Sequence, residues 1–405
     1  MDTPRQTQFS GLTLIAFIVF IDMAGIGLII PVMPSLIVGL TGDSVDRAAE
    51  IGGLLLFAYA IMQFLFAPVI GGLSDRFGRR PVLLITLAAL GVDYAFMAWA
   101  PTLAWLFLGR IISGIMGATW ATANSCVADV VPVEKRGAVF GLLGGAGALG
   151  FVLGPAIGGF AGQFGDRLPF LIASVLALGG ALTGYFILKE TLPPEKRRRF
   201  SIARANPLGN MIQMAKTPLV LGFLITIFFM QLGAQANFSV WSYYGTLKFG
   251  WSALMIGAMT AFYGLTLVIM QGLVVGKVIS RFGAERTAWI SLIFGIPSFL
   301  IIAFAPSTMV MVVAIVIGSL TALCFPAMQS LMTTRIADNA QGELQGAIAS
   351  VISLTSVIGP VLMTSVFGAW ADSTGIYFPG APYLLAAALL AVASLWIKRT
   401  IDRHA

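Results

Sequence analysis

The stretch SDRFGRR, Ser74 to Arg80, returns 205 residues later as ISRFGAE, Ile279 to Glu285, and this pair decides the fold. Each copy is a short polar segment between two long apolar runs. Two more matches share the offset. RGAVFG (Arg136 to Gly141) falls on QGELQG (Gln341 to Gly346), and Gly154-Pro155 falls on Gly359-Pro360. Three coincidences at one spacing are the mark of an internal duplication.

The surroundings of these segments set the class. Of 405 residues, 58% are hydrophobic and 10% charged, against roughly 25% charged in soluble domains. The mean hydropathy is +0.93. Apolar runs of bilayer-spanning length, about 20 residues, fall at about 11–37, 51–72, 81–100, 102–125, 138–162 and 168–188. Six more follow at about 217–244, 253–275, 286–305, 307–330, 343–369 and 378–398. The expected fold is an all-α membrane protein of twelve transmembrane helices in two six-helix bundles, 1–188 and 217–405, joined by a cytoplasmic linker at 189–216. Parallel repeats of this kind place a substrate cavity at mid-membrane between the halves. The first run lacks a basic start and a small-residue cleavage site, so it reads as an uncleaved helix.

Lysine and arginine placement orients the spans. With the N-terminus inside, inner loops and tails hold 20 of the 24 basic residues, and outer loops hold Arg47, Arg167 and Lys248. Both termini are therefore expected in the cytoplasm. The net charge of +7 is spread among apolar helices rather than gathered with aromatics on one face, which argues against a nucleic-acid partner. The run KETLPPEKRRRF, Lys189 to Phe200, reads as a topology and lipid-headgroup anchor. Cys126 and Cys324 lie in apolar runs with no metal-ligand spacing and read as packing residues.

Ionisable groups deep in a span cost about 2.5–3.5 kcal/mol each on insertion scales. Three are placed so: Asp22, Asp93 and Arg110, all in the first half. One arginine balances one carboxylate. The other acid either stays protonated or changes state as its exposure changes, which would make it a proton carrier. The second half offers amides and aromatics instead. Gln231, Gln235 and Asn237 of the seventh span, with Gln63 and Gln271 of the second and eighth, are candidate cavity residues for a flat organic ligand. Trp241, Tyr243 and Tyr244 read equally well as an interfacial aromatic belt.

Particular motifs carry a family resemblance. GGLSDRFGRRP (Gly71 to Pro81) resembles the signature loop of the major facilitator superfamily, and LGRIISGIMGA (Leu108 to Ala118) its fourth-helix motif. GALGFVLGPAIGG (Gly147 to Gly159) resembles the fifth-helix motif of the superfamily's antiporters. DMAGIGLIIPVMP (Asp22 to Pro34), YAIMQFLFAP (Tyr59 to Pro68), VDYAF (Val92 to Phe96), FGWSALMIG (Phe249 to Gly257) and QGELQG resemble the tetracycline/proton antiporter family. The resemblance implies a latch of Gly71, Asp75, Arg76, Gly78, Arg79 and Arg80, with Asp129 accepting Arg79. It implies an interface between halves at Gly154, Pro155, Gly158 and Gly159, and proton coupling at Asp22, Asp93 and Arg110. GAGALG (Gly145 to Gly150) fits the GxGxxG pattern, but it lies inside an apolar helical run with no preceding strand, so a nucleotide site is not expected.

This chain departs from the family at two places. The resemblance implies a histidine in helix 8 and an acid in helix 9. Here the first position is Leu267, WISLIFGIPSFLII has no acid, and the one histidine is His404. The expected function is proton-coupled export of an amphipathic organic compound, tetracycline-like or another drug, across a bacterial-type inner membrane. The alternative is a proton-coupled symporter, or an exporter of an organic anion or metabolite. No enzyme chemistry, metal site or cofactor is expected. A tetracycline-like substrate would arrive as a magnesium chelate. Protons, the small-molecule substrate and the lipid bilayer are the expected partners, and the chain is expected to work as a monomer.

Overall fold

The computed structural model describes residues 4–117, 119–198, 217–336, 341–372 and 376–404. Among them there are helices and no strand. Twelve helices are long and apolar enough to cross a bilayer. In the first half they are α1 Gly11–Thr41, α2 Val45–Phe77, α3 Arg79–Trp99, α4 Leu103–Val130, α5 Ala138–Gly162 and α6 Leu168–Ile187. The second half has α7 Pro218–Ser239, α8 Ala253–Phe282, α9 Ala284–Phe304, α10 Thr308–Thr333, α11 Glu343–Ala371 and α12 Ala381–Arg403. Residues 199–216, most of the expected linker, lie outside the described residues.

The seventh apolar run ends sooner than its hydropathy predicts. Its tail becomes a separate short helix, Trp241–Phe249. Aromatic anchors set this break. Tyr244 donates its hydroxyl hydrogen to the Ile302 carbonyl at 2.6 Å, and Trp251 Nε1 donates to Thr308 Oγ1 at 2.9 Å. The indole of Trp251 covers Gly245, where a Cβ would collide with it.

The duplication is visible in how helices end. Arg136 donates from Nη2 to the Ala128 carbonyl and from Nε to the Val131 carbonyl, at 2.7 and 3.0 Å. Gln341, its repeat partner, donates to the Thr333 and Ile336 carbonyls, at 2.9 and 3.0 Å. Those carbonyls are the same two positions shifted by 205. Both side chains satisfy acceptors that the ends of α4 and α10 leave free. Gly78 and Gly283 likewise share one backbone shape, φ +109° and +80° with ψ near +155°. Only glycine adopts that shape without strain, so both α2–α3 and α8–α9 turn on it.

The three basic residues expected outside have local work too. Arg167 donates to the Ala98 and Ala100 carbonyls at the end of α3, at 3.1 and 3.0 Å. Lys248 donates to the Ala303 carbonyl, the repeat equivalent of Ala98, at 3.1 Å. Burial beside α9 lowers the pKa of that ammonium from its ordinary value. Arg47 forms an ion pair with Glu50.

Contacts divide the chain into two compact units. Unit 1 contains Met1–Gly42, Ala58–Asn206 and Ser252–Ala261, and unit 2 contains Asp43–Phe57, Pro207–Trp251 and Phe262–Ala405. The first part of α2 therefore belongs to unit 2, and the first part of α8 to unit 1. In unit 1 a core forms from Ile18 and Ile21 of α1, Leu83 and Leu87 of α3, Val127 of α4, Leu143 of α5 and Ala177 of α6. Small residues bring backbones together. A Cβ on Gly154 would collide with Ala24 and Gly27, and one on Gly158 would lie 2.7–2.8 Å from Leu28 backbone carbons. Gly159 instead meets Ala253 and Gly257, and Gly257 meets Pro155 and Gly159. In unit 2 a neighbouring pair makes a similar approach: Gly53 faces Thr364, which stands where Gly159 stands in the first repeat, while Gly52, the equivalent of Gly257, lies under Tyr243.

Helix irregularities mark particular levels. A tight turn at Ile30–Val32 surrounds Pro31 in α1, and α10 tightens at Leu320–Leu323. In α8 the helix widens to a π turn at Met270–Val274. Pro68 lies inside α2, at the repeat position of Leu273.

Gly158→Ala must push against backbone and is expected to lower stability by roughly 1–3 kcal/mol, the range for overpacking. Gly144→Ala, with open space around its added methyl, should lose nothing and gain some of the about 0.5–1 kcal/mol that helical glycine forfeits. Thermal melting of the detergent-solubilised protein separates the two.

Candidate transport site

Unit 1 gathers the buried charges into one polar chain. Arg110 of α4 donates from Nη2 to Asp93 Oδ2 of α3 at 2.5 Å. The Asp93 side chain is 0% exposed and that of Arg110 9%. The same Arg110 nitrogen lies 2.9 Å from the Met97 sulfur. Gly109 makes room for the carboxylate, since a Cβ there would meet Asp93 Oδ1. Between the two acids left open by the sequence, the arginine takes Asp93.

From Arg110 the chain continues into α2. The guanidinium carbon lies 5.5 Å from the centre of the Tyr59 ring, close enough for a cation–π attraction. Gln63, one turn further along α2 on the same face, donates to the Tyr59 hydroxyl at 3.2 Å and to the Gly117 carbonyl at 2.6 Å. That carbonyl is available because α4 opens at Gly117. Two residues on, the Thr119 hydroxyl is hydrogen-bonded to Asp22 of α1. Tyr94 packs its ring over Gly25, next to Asp22 along α1. Among the described residues Asp22 has no ion-pair partner. The site thus holds a neutralised pair and one carboxyl whose named partner is a hydroxyl.

Tyr59, Tyr94 and Thr119 were not picked out from sequence. Tyr59 carried a signal, standing four residues before Gln63. Thr119 opens a polar run, TWATANS, in an otherwise apolar helix.

The second unit closes the equivalent place differently. Asp93 corresponds to Ser298, whose hydroxyl donates to the Ala314 carbonyl at 2.8 Å. A short uncharged bond between α9 and α10 stands where an ion pair joins α3 and α4. Of the candidate cavity amides, Gln235 is buried with its chain against Gly359. Asn237 is hydrogen-bonded to Tyr263, while its Oδ1 is buried without a partner among the described residues. Gln231 is half-buried, and Gln271 is exposed in the π turn of α8. Gln63 belongs with the acidic cluster of unit 1. Tyr244 is engaged with the end of α9, and Tyr243 covers Gly52.

The loop between α2 and α3 forms its own network. Arg79 pairs with Asp75 at 2.6 Å and with Asp129 of α4 at 3.1 Å, and its Nη1 donates to Ser74 at 2.6 Å. Glu190, just after α6, was also absent from the sequence-based candidates. Its Oε1 accepts the backbone N–H groups of Arg79, Thr191 and Leu192 at 2.8–3.0 Å. It thereby caps the start of α3. Gly78 is tight against that carboxylate. Arg76 lies over Phe77, and a Cβ on Gly71 would meet open space. Glu190 is one of two acids in the basic segment KETLPPEKRRRF, and nothing in the sequence marks it for this role.

The description of the major facilitator superfamily matches residues 15–360 and, overlapping them, 223–404. The chain belongs to that superfamily, and it is a transporter rather than an enzyme. It is 37% identical to the tetracycline resistance protein, class E, of Escherichia coli, over 89% of this chain and 91% of that one. It is 36% identical to the class C protein of Escherichia coli, covering 94% of each. The solved structure of the human organic anion transporter MFSD10 aligns with a TM-score of 0.71 at 23% identity, covering 98% of this chain and 100% of that one. This last likeness is one of fold.

Leaving Asp93 buried and unpaired should be costly. Arg110→Met is expected to remove about 3–5 kcal/mol of stability. Adding Asp93→Asn should restore most of it, read as recovery of the melting temperature and monodisperse yield.

Proposed function

We propose that this transporter exchanges inward-moving protons for an outward-moving amphipathic organic compound of the tetracycline type. The observation that carries the reading is the division of labour between the buried Asp93–Arg110 pair and the half-buried Asp22. Arg110 is matched by Asp93, so Asp22 is the carboxyl that no cation among the described residues holds ionised, and it is the proposed proton carrier. Asp93 and Arg110 shape its field, with Tyr59 and Thr119 linking them to it. Every coupling group lies in unit 1, in keeping with Leu267 and the acid-free stretch WISLIFGIPSFLII of α9 in the second repeat.

Export by this route has adequate driving force. A proton entering under a 100 mV potential supplies ~2.3 kcal/mol, which sustains a gradient of roughly fiftyfold per proton. Gln231, Gln235 and Asn237 are the proposed substrate contacts, and the unpartnered Asn237 Oδ1 supports an amide that awaits a donor. Similarity to the class C and class E proteins supports a tetracycline-like substrate, carried as its magnesium chelate. Asp75, Arg79 and Asp129 are proposed to latch the cytoplasmic side, while Gly159 and Gly257 provide a close seam for gating. Both termini are placed in the cytoplasm by the charge asymmetry of the loops, the membrane is a bacterial-type inner membrane, and one copy suffices. A symporter taking up an organic anion on Arg110 is the weaker reading, since Asp93 already neutralises that guanidinium.

Proteoliposomes test the reading. An imposed pH difference should drive tetracycline transport by the wild-type protein. Asp22→Asn should lose more than about tenfold of that drive, equivalent to 1.4 kcal/mol, while retaining substrate exchange at equal pH. Transport by Asp22→Asn that still follows the pH difference would refute the coupling role.

A further inference from the structure

A second site lies away from the acidic cluster, at the end of unit 1 where α2, α3 and α6 meet the α2–α3 loop. A cavity of about 580 Å³ is lined by Phe77, Arg80, Pro81, Phe186, Leu188, Lys189, Glu190 and Arg197. Its charges do not cancel. Arg80, Lys189 and Arg197 stand against one carboxylate, Glu190, leaving two net positive charges. That carboxylate is already engaged, with Oε1 on three backbone N–H groups and Oε2 4.0 Å from Arg197. Arg80 spends Nη2 on the Tyr185 carbonyl at 2.5 Å, and its ring contact is Tyr185 at 5.4 Å. Its Nε is buried with no hydrogen-bond partner among the described residues. The cavity thus offers an unpaired guanidinium donor and two further cations to an anion.

The neighbouring surface is apolar. Phe77, Tyr185 and Phe186 are 53%, 60% and 77% exposed, and Leu182, one turn before Phe186, is also exposed. Cations at the polar end of an exposed apolar helix face match the two ends of a phospholipid. We propose that this cavity binds the phosphate of an acidic membrane lipid, with its acyl chains laid along Phe186 and Leu182. Arg80 and Arg197 supply forked donors suited to a phosphate diester, and Lys189 adds a point charge. The lipid would pin α3 and α6 to the segment after α6, beside the Arg79 network. A zwitterionic lipid has no net charge to meet the surplus.

Native mass spectrometry of the purified full-length protein tests this, with phosphatidylglycerol and phosphatidylcholine as probes. Phosphatidylglycerol should bind the wild-type protein and raise its melting temperature. Lys189→Gln with Arg197→Gln, both at exposed positions, should weaken that binding by roughly fivefold per cation removed. Phosphatidylcholine binding should be unchanged. The charge-conserving Lys189→Arg with Arg197→Lys should keep phosphatidylglycerol bound. Equal retention of phosphatidylglycerol by wild type and the Gln double variant would overturn the proposal. So would an equal preference for phosphatidylcholine. Stabilisation by inorganic phosphate alone, matching that by the lipid, would reassign the cavity to a soluble anion and also overturn it.

Discussion

The ion pair between Arg110 and Asp93 is the constraint on which the rest of unit 1 depends. Deep in an apolar helix bundle neither charge survives alone, and pairing fixes the rotation of α4 against α3. Gly109 is glycine because the carboxylate occupies the space a side chain would take. The guanidinium lies over the ring of Tyr59, which aligns α2, and Gln63 then reaches the carbonyl that α4 exposes at Gly117. The same local opening of α4 precedes Thr119, the partner of Asp22. A single electrostatic requirement thus positions four helices around one unpaired acid.

The second repeat shows what the fold needs once that requirement is absent. Ser298 joins α9 to α10 by an uncharged bond at the equivalent level, and no ring like Tyr59 is needed, since Gly264 stands at its repeat position. Structural contacts that are independent of charge persist. Arg136 became Gln341, yet both reach the same pair of helix-end carbonyls. The duplication therefore kept the scaffold in both copies and the ionisable chemistry in one.

The helices and the duplication were legible because twenty-residue apolar runs and repeated glycine turns leave few alternatives. Asp22, Asp93 and Arg110 were legible because charge in such a run is costly. Which acid takes Arg110 was not legible, since it depends on how α3 and α4 are rotated about their axes. Tyr244 resembles any interfacial tyrosine until its bond to Ile302 is seen. Glu190 stands in a basic segment where acids are ordinary, and its role appears only when the chain folds it over the start of α3. Gln63 was legible as a polar group in a span, but its partners come from a break in another helix.

The π turn of α8 has a counterpart that the matched numbering exposes. Leu273 lies within it, and Pro68 occupies the same rung of α2. Proline removes a hydrogen-bond donor there, while a π turn displaces the bonds of its own ladder. Two unlike chemical devices thus loosen the two helices at one repeat position, without any insertion to disturb the spacing of 205. Each helix is missing regular backbone hydrogen bonds at that rung, so it is the place where bending costs least and the regular turns on either side can stay straight.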